Sequence, residues 1–367
     1  MLAAERRERI LTAAHRDGAV RVADLAAELR ASGVTIRRDL ELLSEQGLLE
    51  KVRGGAMLRT PSATAAEAGR DPHDQAVLGV LIPSAYYFRH IVAGARRVAA
   101  RRGDTVRLVT SGYDPQVEQR LVSELVESGA TGLLLAPSFV DGESAPPDYL
   151  EHPAVPTVLI EREPPPTELA TLSTVRSAHE RGVAAALAHV QSLGHRRIAL
   201  ISRVFSQTGS FVQRGYRQAA ASLDLDRDVP VITGTDAATV RPGLMPEGPA
   251  VVFDQLMKTG VTAVLCHGDE DALALSQYAQ ANNRAVPGDL SIVSYNDEVA
   301  ALGDPPLTAV APPKDRIGTV AAEMLFNLLE SEADQTPIHV QIDPQLIIRS
   351  STAPPSAQPV RNIRREP

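Results

Sequence analysis

The sequence predicts an α/β protein with a small helical module ahead of a larger body built on parallel sheet. Three observations carry this. Beyond residue 76, short apolar runs alternate with amphipathic helical stretches, the pattern of strands joined by crossover helices. The alternation comes as two successive βαβ series, which implies two similar lobes with ligands bound at the carboxyl ends of their strands. Charge is also divided unevenly. Residues 1–59 hold 11 Arg or Lys against 9 Asp or Glu, while the whole chain carries −8. A weakly basic end on an acidic body suits nucleic-acid contact confined to that end.

The totals bound the rest. A chain of 367 residues is long enough for about two or three domains. At 44% hydrophobic content it has the material for real cores. The single cysteine, Cys266, leaves no disulfide framework and fits a reducing cytoplasm. No signal-peptide pattern and no membrane-length apolar run is present, so a soluble, cytoplasmic protein without a membrane partner is expected.

Residues 5–15 carry Ile10, Leu11 and Ala14 at helical spacing and should end at Asp17-Gly18. Val20 and Val22 suggest an extended piece, and residues 24–29 a second helix with Leu25, Ala26 and Leu29 inward. Ala31-Ser32-Gly33 is the turn. Ser32 is a natural N-cap for the helix that follows. Ile36, Leu40, Leu42 and Leu43 would make its apolar face, leaving Thr35, Arg37, Arg38 and Glu41 outside. Arginine forks onto guanine edges or clamps phosphate, and threonine contacts either, so this face suits a DNA major groove. After Gln46-Gly47, residues 48–52 read as a strand, Arg53-Gly54-Gly55 as a hairpin turn and residues 56–58 as its return. Such a wing would put Lys51 and Arg53 near phosphates or a minor groove.

Residues 60–75 are small, polar and aperiodic, the composition of a linker. In the body, strands are predicted at 77–82, 106–110, 132–136 and 157–160, with helices at 91–102 and 117–128. The second series runs from a helix over 178–193 through strands at 197–202, 229–233, 263–266 and 290–295. Helices fall between them around 214–221, 251–259 and 272–281. Residues from 351 onward, rich in Pro and Arg, read as a disordered tail.

Two family resemblances rest on these residues. Ile10-Leu11, Leu25-Ala26, Ser32, Thr35-Ile36-Arg37-Arg38-Asp39-Leu40, Gly47-Leu48 and Arg53-Gly54-Gly55-Ala56 resemble the DeoR-type winged helix-turn-helix, over about 55 residues. The resemblance implies that Thr35, Arg37 and Arg38 are the DNA readers, and Ser32, Lys51 and Arg53 complete the expected DNA contacts. Val80-Leu81-Ile82-Pro83, Leu193-Gly194-His195-Arg196-Arg197, Arg214-Gly215-Tyr216, Val286-Pro287-Gly288-Asp289-Leu290, Pro305-Pro306-Leu307-Thr308 and Ile317-Gly318 resemble the LacI/GalR-type sensor domain. That family's fold is similar to periplasmic sugar-binding proteins, with two lobes, a cleft and three chain crossings as hinge.

The implied organisation is a head at 1–58, a linker at 59–76, an effector domain at 77–351 and a tail at 352–367. Lobe 1 would hold 77–174 and 311–330, and lobe 2 178–310 and 334–351, with crossings near 174–179, 310–313 and 329–334. Carried onto this chain, the effector contacts would be Tyr87, Phe88, Glu161, Arg162, Arg214, Asp269 and Asn296, with Glu161 and Arg162 pairing with each other. Asn296 stands where the family usually has Asp. Ala178 replaces an Asp, so one interlobe or ligand contact should be missing there. DeoR-type heads usually carry a different effector domain, and the LacI-type hinge helix is absent. The chain therefore resembles a hybrid of two regulator families.

No Gly-x-Ser-x-Gly, His-Glu-x-x-His or P-loop motif appears, so no enzyme is expected. His267-Gly268-Asp269-Glu270-Asp271 has poor spacing for a metal, and neither metal nor cofactor is expected. Cys266 ends an apolar strand and reads as core filler. The expectation is a DNA-binding, ligand-responsive transcription regulator, a repressor, working as a homodimer on double-stranded operator DNA. Its effector would be a sugar, with a purine or nucleoside as the alternative. A sugar-binding transport protein without catalysis is the reading from another class.

Overall fold

The computed structural model describes the chain outside residues 1–5, 7–8, 11–12, 15–18, 30, 46–48, 53–54, 59–74, 139–146, 164–171, 204–205, 235–247, 332–335 and 357–367. The chain divides into two compact units, Met1–Arg70 and Asp71–Pro367.

In the first unit, β1 (Ala19–Arg21) and β2 (Leu49–Val52) both run antiparallel to β3 (Gly55–Leu58), giving the order β1-β3-β2. The wing is thus a three-stranded sheet. At Gly55 a Cβ would lie 2.0 Å from the Val20 carbonyl oxygen, so only glycine lets β3 approach β1 this closely. Two helices follow the helix-turn-helix order, α1 (Val22–Glu28) and α2 (Gly33–Glu45). Val22, expected to be extended, opens α1 instead, because pairing with β3 ends at Arg21. Of the first predicted helix, Arg6, Arg9, Ile10, Ala13 and Ala14 are helical, and its end at Asp17-Gly18 lies outside the described residues. Ile10, Leu25, Leu29, Ile36, Leu40, Leu43 and Leu49 form one core. Leu42 does not join it and is 37% exposed. At about 100° per residue it stands about 120° around the helix from Ile36. Asp39 takes the place on the buried side, tied to Arg6 at 2.5 Å.

The second unit contains two six-stranded sheets. The first has the order β14-β8-β7-β6-β4-β5 and is parallel throughout. Its strands are β4 (Val77–Ile82), β5 (Thr105–Thr110), β6 (Gly132–Leu135), β7 (Thr157–Ile160), β8 (Ser173–Ser177) and β14 (His339–Ile342). Helices α3 (Ala85–Arg102) and α4 (Pro115–Glu127) connect the first three strands, and a single turn, α5 (Asp148–Glu151), precedes β7. The second sheet has the order β10-β9-β11-β12-β13-β15. It is built from β9 (Ile198–Arg203), β10 (Val231–Gly234), β11 (Ala263–Cys266), β12 (Ser291–Tyr295), β13 (Thr308–Ala311) and β15 (Gln345–Ile347), the last antiparallel to β13. Helices α6 (His179–Ser192), α7 (Gln207–Ser222), α8 (Gly248–Lys258) and α9 (Asp269–Ala281) belong to this lobe.

The chain passes between the sheets three times. It crosses at Ala178 between β8 and α6, at Pro312 and Pro313 between β13 and α10 (Lys314–Glu330), and at Asp343 and Pro344 between β14 and β15. The third crossing was expected near 329–334. It lies later because the β-strand at 339–342, alternately exposed and half-buried, has no continuous apolar run to announce it. Helix α10 returns to lobe 1 and packs on α3 with almost no gap. A Cβ on Gly318 would lie 1.8 Å from the Ile91 oxygen, and one on Gly94 2.2 Å from the Asp315 oxygen. Residues 351–356 are not a loose tail. Ser351 is fully buried and bonds Thr308 and Ile292, and the Ala353 carbonyl lies within reach of His195 and Ser291. Polar edges there are satisfied by the segment, which a Pro- and Ser-rich composition conceals.

Candidate functional site

Two places collect the functional side chains. On α2, Ser32 acts as N-cap: its Oγ accepts the Thr35 N–H at 3.1 Å and lies 2.8 Å from Thr35 Oγ1. Both hydroxyls are thereby engaged with each other and the helix end. Arg37 and Arg38 are exposed on the outer face, as are Val34 and Glu41. Asp39, which could have neutralised the arginines, turns inward to Arg6 instead. Lys51 sits on β2 opposite Ala56. Its side chain, and Arg53 entirely, lie outside the described residues.

The second place is where the carboxyl ends of the two sheets meet. Strand β7 leaves through Glu161 and β12 through Asn296 and Asp297, all three non-glycine residues with positive φ (55°, 114° and 54°). Such conformations carry strain and turn the side chains out of the regular strand pattern. Glu161 is fully buried and saturated. It accepts from Tyr87 Oη at 2.9 Å, from Ser177 N–H at 3.0 Å and Oγ at 2.7 Å, and lies 2.9 Å from His179 Nε2. Burial pushes this carboxyl up, but the His179 ring and the Ser177 donors outweigh burial and hold it at about 2. His179 Nδ1 then reaches Tyr295 Oη at 2.8 Å, and its ring stacks on Phe211 at 5.6 Å. Tyr87 and Glu161 belong to lobe 1, and Tyr295 and Phe211 to lobe 2. The chain Tyr87–Glu161–His179–Tyr295 therefore runs through the hinge from one lobe to the other.

Further ties cross the cleft among the described residues. Glu298, after β12, pairs with Lys314 at 2.7 Å and with Arg89 on α3, and His90 lies 3.6 Å away. Burial raises its carboxyl, but His90, Lys314 and Arg89 hold it at about 2. On the other side, Glu163 N–H donates to Gln207 Oε1 at 2.8 Å, and Gln207 Nε2 donates back to the Glu163 carbonyl at 2.6 Å. Beside them buried Arg176 meets Glu163 at 3.1 Å and Glu180 at 2.9 Å, its guanidinium 4.3 Å from the Phe211 ring. The Asn296 Oδ1 and Asp271 Oδ1 atoms are buried without a hydrogen-bond partner, and the Tyr86 hydroxyl is close enough to Glu270 that this carboxylate, after burial, raises its pKa.

These contacts revise several expected roles. Tyr87 and Phe88 lie in the first turns of α3, which starts six residues earlier than its apolar periodicity indicated. Arg89 and His90 interrupt that periodicity because they face Glu298. Phe88 is core, packed edge-on to Tyr87 at 5.1 Å. Glu161 and Arg162 do not pair through their charges. Arg162 is buried and donates to the Glu161 backbone carbonyl at 2.8 Å, while the carboxylate takes His179. Arg214 is tied to Glu180 at 2.6 Å, with Glu163 at 3.8 Å. Asp269 is spent on structure: Ser294 Oγ and the N–H groups of Glu298 and Val299 occupy both its oxygens, fastening the loop after β12. The contact expected to be missing at Ala178 is supplied one residue later by His179. His179, Arg176, Tyr295, Glu298 and Lys314 escaped the sequence. Of these, Tyr295 ends the predicted strand at 290–295 and adjoins Asn296, the one neighbouring signal that could have flagged it.

A winged helix-turn-helix with outward arginines and a hinged two-lobed body with a polar cleft define a DNA-binding regulator of the ligand-sensing kind. Comparison with known proteins agrees. Residues 6–62 match a DeoR-like helix-turn-helix domain, and 187–352 a periplasmic binding protein-like domain. The chain is 31% identical to an uncharacterized HTH-type transcriptional regulator in the aml 5′ region of Streptomyces limosus, over 68% of this chain and 71% of that protein. It is 28% identical to the arabinose metabolism transcriptional repressor of Geobacillus stearothermophilus, over 90% of each. The crystal structure of transcription regulator GntR from Chromobacterium violaceum superposes with a TM-score of 0.62 at 26% identity, over 75% of this chain and 99% of that one. The chain belongs to the HTH-type transcriptional regulators, joining a DeoR-like head to a LacI-type, periplasmic-binding-protein-like body. Among the described residues no helix is long and apolar enough to cross a membrane.

Proposed function

We propose that this regulator is a cytoplasmic, homodimeric repressor without catalytic activity, which releases its operator when a small unphosphorylated sugar binds between the lobes. The observation that carries the reading is the similarity to the arabinose metabolism repressor, which spans 90% of both chains and so includes head and body together. The chemistry of the cleft supports it. Tyr86 and Tyr87 offer aromatic faces, and the Asn296 and Asp271 oxygens without partners would accept from ligand hydroxyls. Arg37 and Arg38 would contact the operator, with Lys51 and Arg53 on the wing. Of the expected effector contacts, Tyr87 and Asn296 keep direct roles. Glu161 acts through Tyr87, and Arg214 through Glu180.

Ligand binding would act by differential affinity for two lobe arrangements, since a ligand shifts only an equilibrium whose states it distinguishes. The test is a thermal-shift screen of the full chain with arabinose and other pentoses, hexoses, their phosphates and nucleobases, followed by gel shifts on the chain's own upstream DNA. An unphosphorylated sugar should raise the melting temperature and weaken the DNA complex. Arg37→Ala with Arg38→Ala should abolish the complex and keep the thermal shift. A response to nucleobases alone would replace the sugar reading with the purine one. A complex indifferent to every stabilising ligand would sink the sensing mechanism.

A further inference from the structure

Helix α2 presents an apolar side chain in the middle of its outer face. At about 100° per residue, Val34, Arg37, Arg38 and Glu41 fall on one arc about 100° wide, away from Ile36, Leu40 and Leu43 in the core. Val34 stands at the centre of that arc, one turn ahead of the arginines, and is 72% exposed. Single exposed apolar residues are ordinary on protein surfaces. This one differs in its company. The hydroxyls on either side, Ser32 and Thr35, are bonded to each other and to the helix end, and Gly33 has no side chain. Val34 is therefore the outward side chain of the first turn. That turn holds no acidic residue to repel a phosphate backbone.

We propose that Val34 is a specificity residue of the head, reading thymine through its C5-methyl group in the major groove. The other marks that distinguish base pairs on the groove floor are hydrogen-bond donors and acceptors and the bare C5–H of cytosine, and only thymine carries a methyl there. The N-terminal part of a recognition helix is the part that meets base edges. A β-branched side chain has few rotamers, so its two methyls are presented in a fixed direction. Arg37 and Arg38, one turn later, take guanine edges or phosphates. The division of labour is then an apolar contact at the helix start and charged contacts behind it.

The experiment starts from random DNA. Duplexes bound by the full chain are selected from a random pool, and each thymine of the selected site is replaced in turn by uracil. The replacement deletes the methyl and leaves every hydrogen-bonding edge. At one thymine position in each half-site the wild-type chain should lose about fourfold in affinity per replacement, equivalent to about 0.8 kcal/mol for one methyl contact. Val34→Ala, whose exposed site leaves folding intact, should lose about as much per half-site on thymine DNA. It should then show no further loss on uracil at that position, while the other positions respond as in the wild type. A uracil penalty that persists undiminished in Val34→Ala, or the absence of any thymine whose penalty depends on Val34, would overturn the assignment.

Discussion

Replacing His179 by alanine is the sharpest test of how the lobes are joined. The imidazole touches two groups that have no access to water, the Glu161 carboxylate at 2.9 Å and the Tyr295 hydroxyl at 2.8 Å, and both residues are 0% exposed. Each buried polar group left without its partner costs roughly 1–3 kcal/mol. Glu161 keeps its Tyr87 and Ser177 donors when the ring is removed, so its share sits at the lower end of that range, while Tyr295 loses the His179 ring. Loss of the ring from Phe211 adds packing energy. The total comes to roughly 2–4 kcal/mol, a large share of the about 5–15 kcal/mol that holds a domain together. Tyr295→Phe removes only one hydroxyl and should cost roughly 1–3 kcal/mol. Urea unfolding of the full chain at pH 7 measures both, and small-angle scattering reports the separation of the lobes. Destabilisation by His179→Ala of under about 1 kcal/mol, with an unchanged scattering profile, would refute the argument that this ring bridges the lobes.

Two other outcomes follow from particular contacts. The Glu161 carboxyl sits at about 2 in the folded protein against 4.5 when free. A depressed pKa gives stability that is complete above about 4.5 and drains as pH falls towards 2, on the order of 3 kcal/mol in all. Glu161→Gln should flatten that part of the acid-unfolding curve, and an unaltered slope between pH 4.5 and 2 would remove Glu161 as its source. Gly318→Ala should destabilise lobe 1 by at least roughly 1–3 kcal/mol, as overpacking does, because its Cβ would stand 1.8 Å from a backbone oxygen of α3. A melting temperature equal to the wild type would show that α10 and α3 can separate without cost.

The elements that were legible in the sequence share one property: their periodicity is decided by burial alone. Val77–Ile82, Thr157–Ile160 and Ala263–Cys266 are buried strands, and their apolar runs announce them. Ile36, Leu40 and Leu43 mark α2 in the same way. The failures have the opposite cause. Leu42 was apolar yet outside, and Asp39 polar yet inside, because an ion pair with Arg6 rather than hydrophobicity filled that position. The start of α3 was hidden by Arg89 and His90, whose reason for being there is a partner 208 or more positions away. In the cleft, local sequence can name a carboxylate but cannot tell whether it faces a ligand or its own protein. Asp269 and Glu161 both look like ligand acceptors in sequence, and both turn out to be fully bonded within the fold. His179 was invisible because nothing adjacent in sequence distinguishes it from a surface histidine at a helix start. Its partners come from β7 and β12.

The nature of the interlobe ties bears on why such a body can be switched. Each apolar core lies within one lobe. The clusters around Ile82 and Leu81 belong to lobe 1, and those around Ile292 and Val183 to lobe 2. Among the described residues the ties across the cleft centre on polar groups: Glu161 with His179 and Tyr295, Glu298 with Arg89 and Lys314, Glu163 with Gln207, and Arg176 with Glu180 and the face of Phe211. Apolar packing across the cleft would commit the lobes to one arrangement, since water cannot replace it. Hydrogen bonds are different, because opening exchanges them for bonds to water at a net cost of about 0.5–1.5 kcal/mol each, or about 1.5–3 kcal/mol where a charged group takes part. A few such ties leave the two arrangements separated by a few kcal/mol. A ligand that distinguishes them by about 5.5 kcal/mol moves the population from almost all of one to almost all of the other. Three or four hydroxyl contacts, made only when the lobes stand in one arrangement, supply a difference of that order. Tyr87 shares this wiring, because its hydroxyl donates to Glu161, the carboxylate that His179 links to Tyr295 across the first crossing.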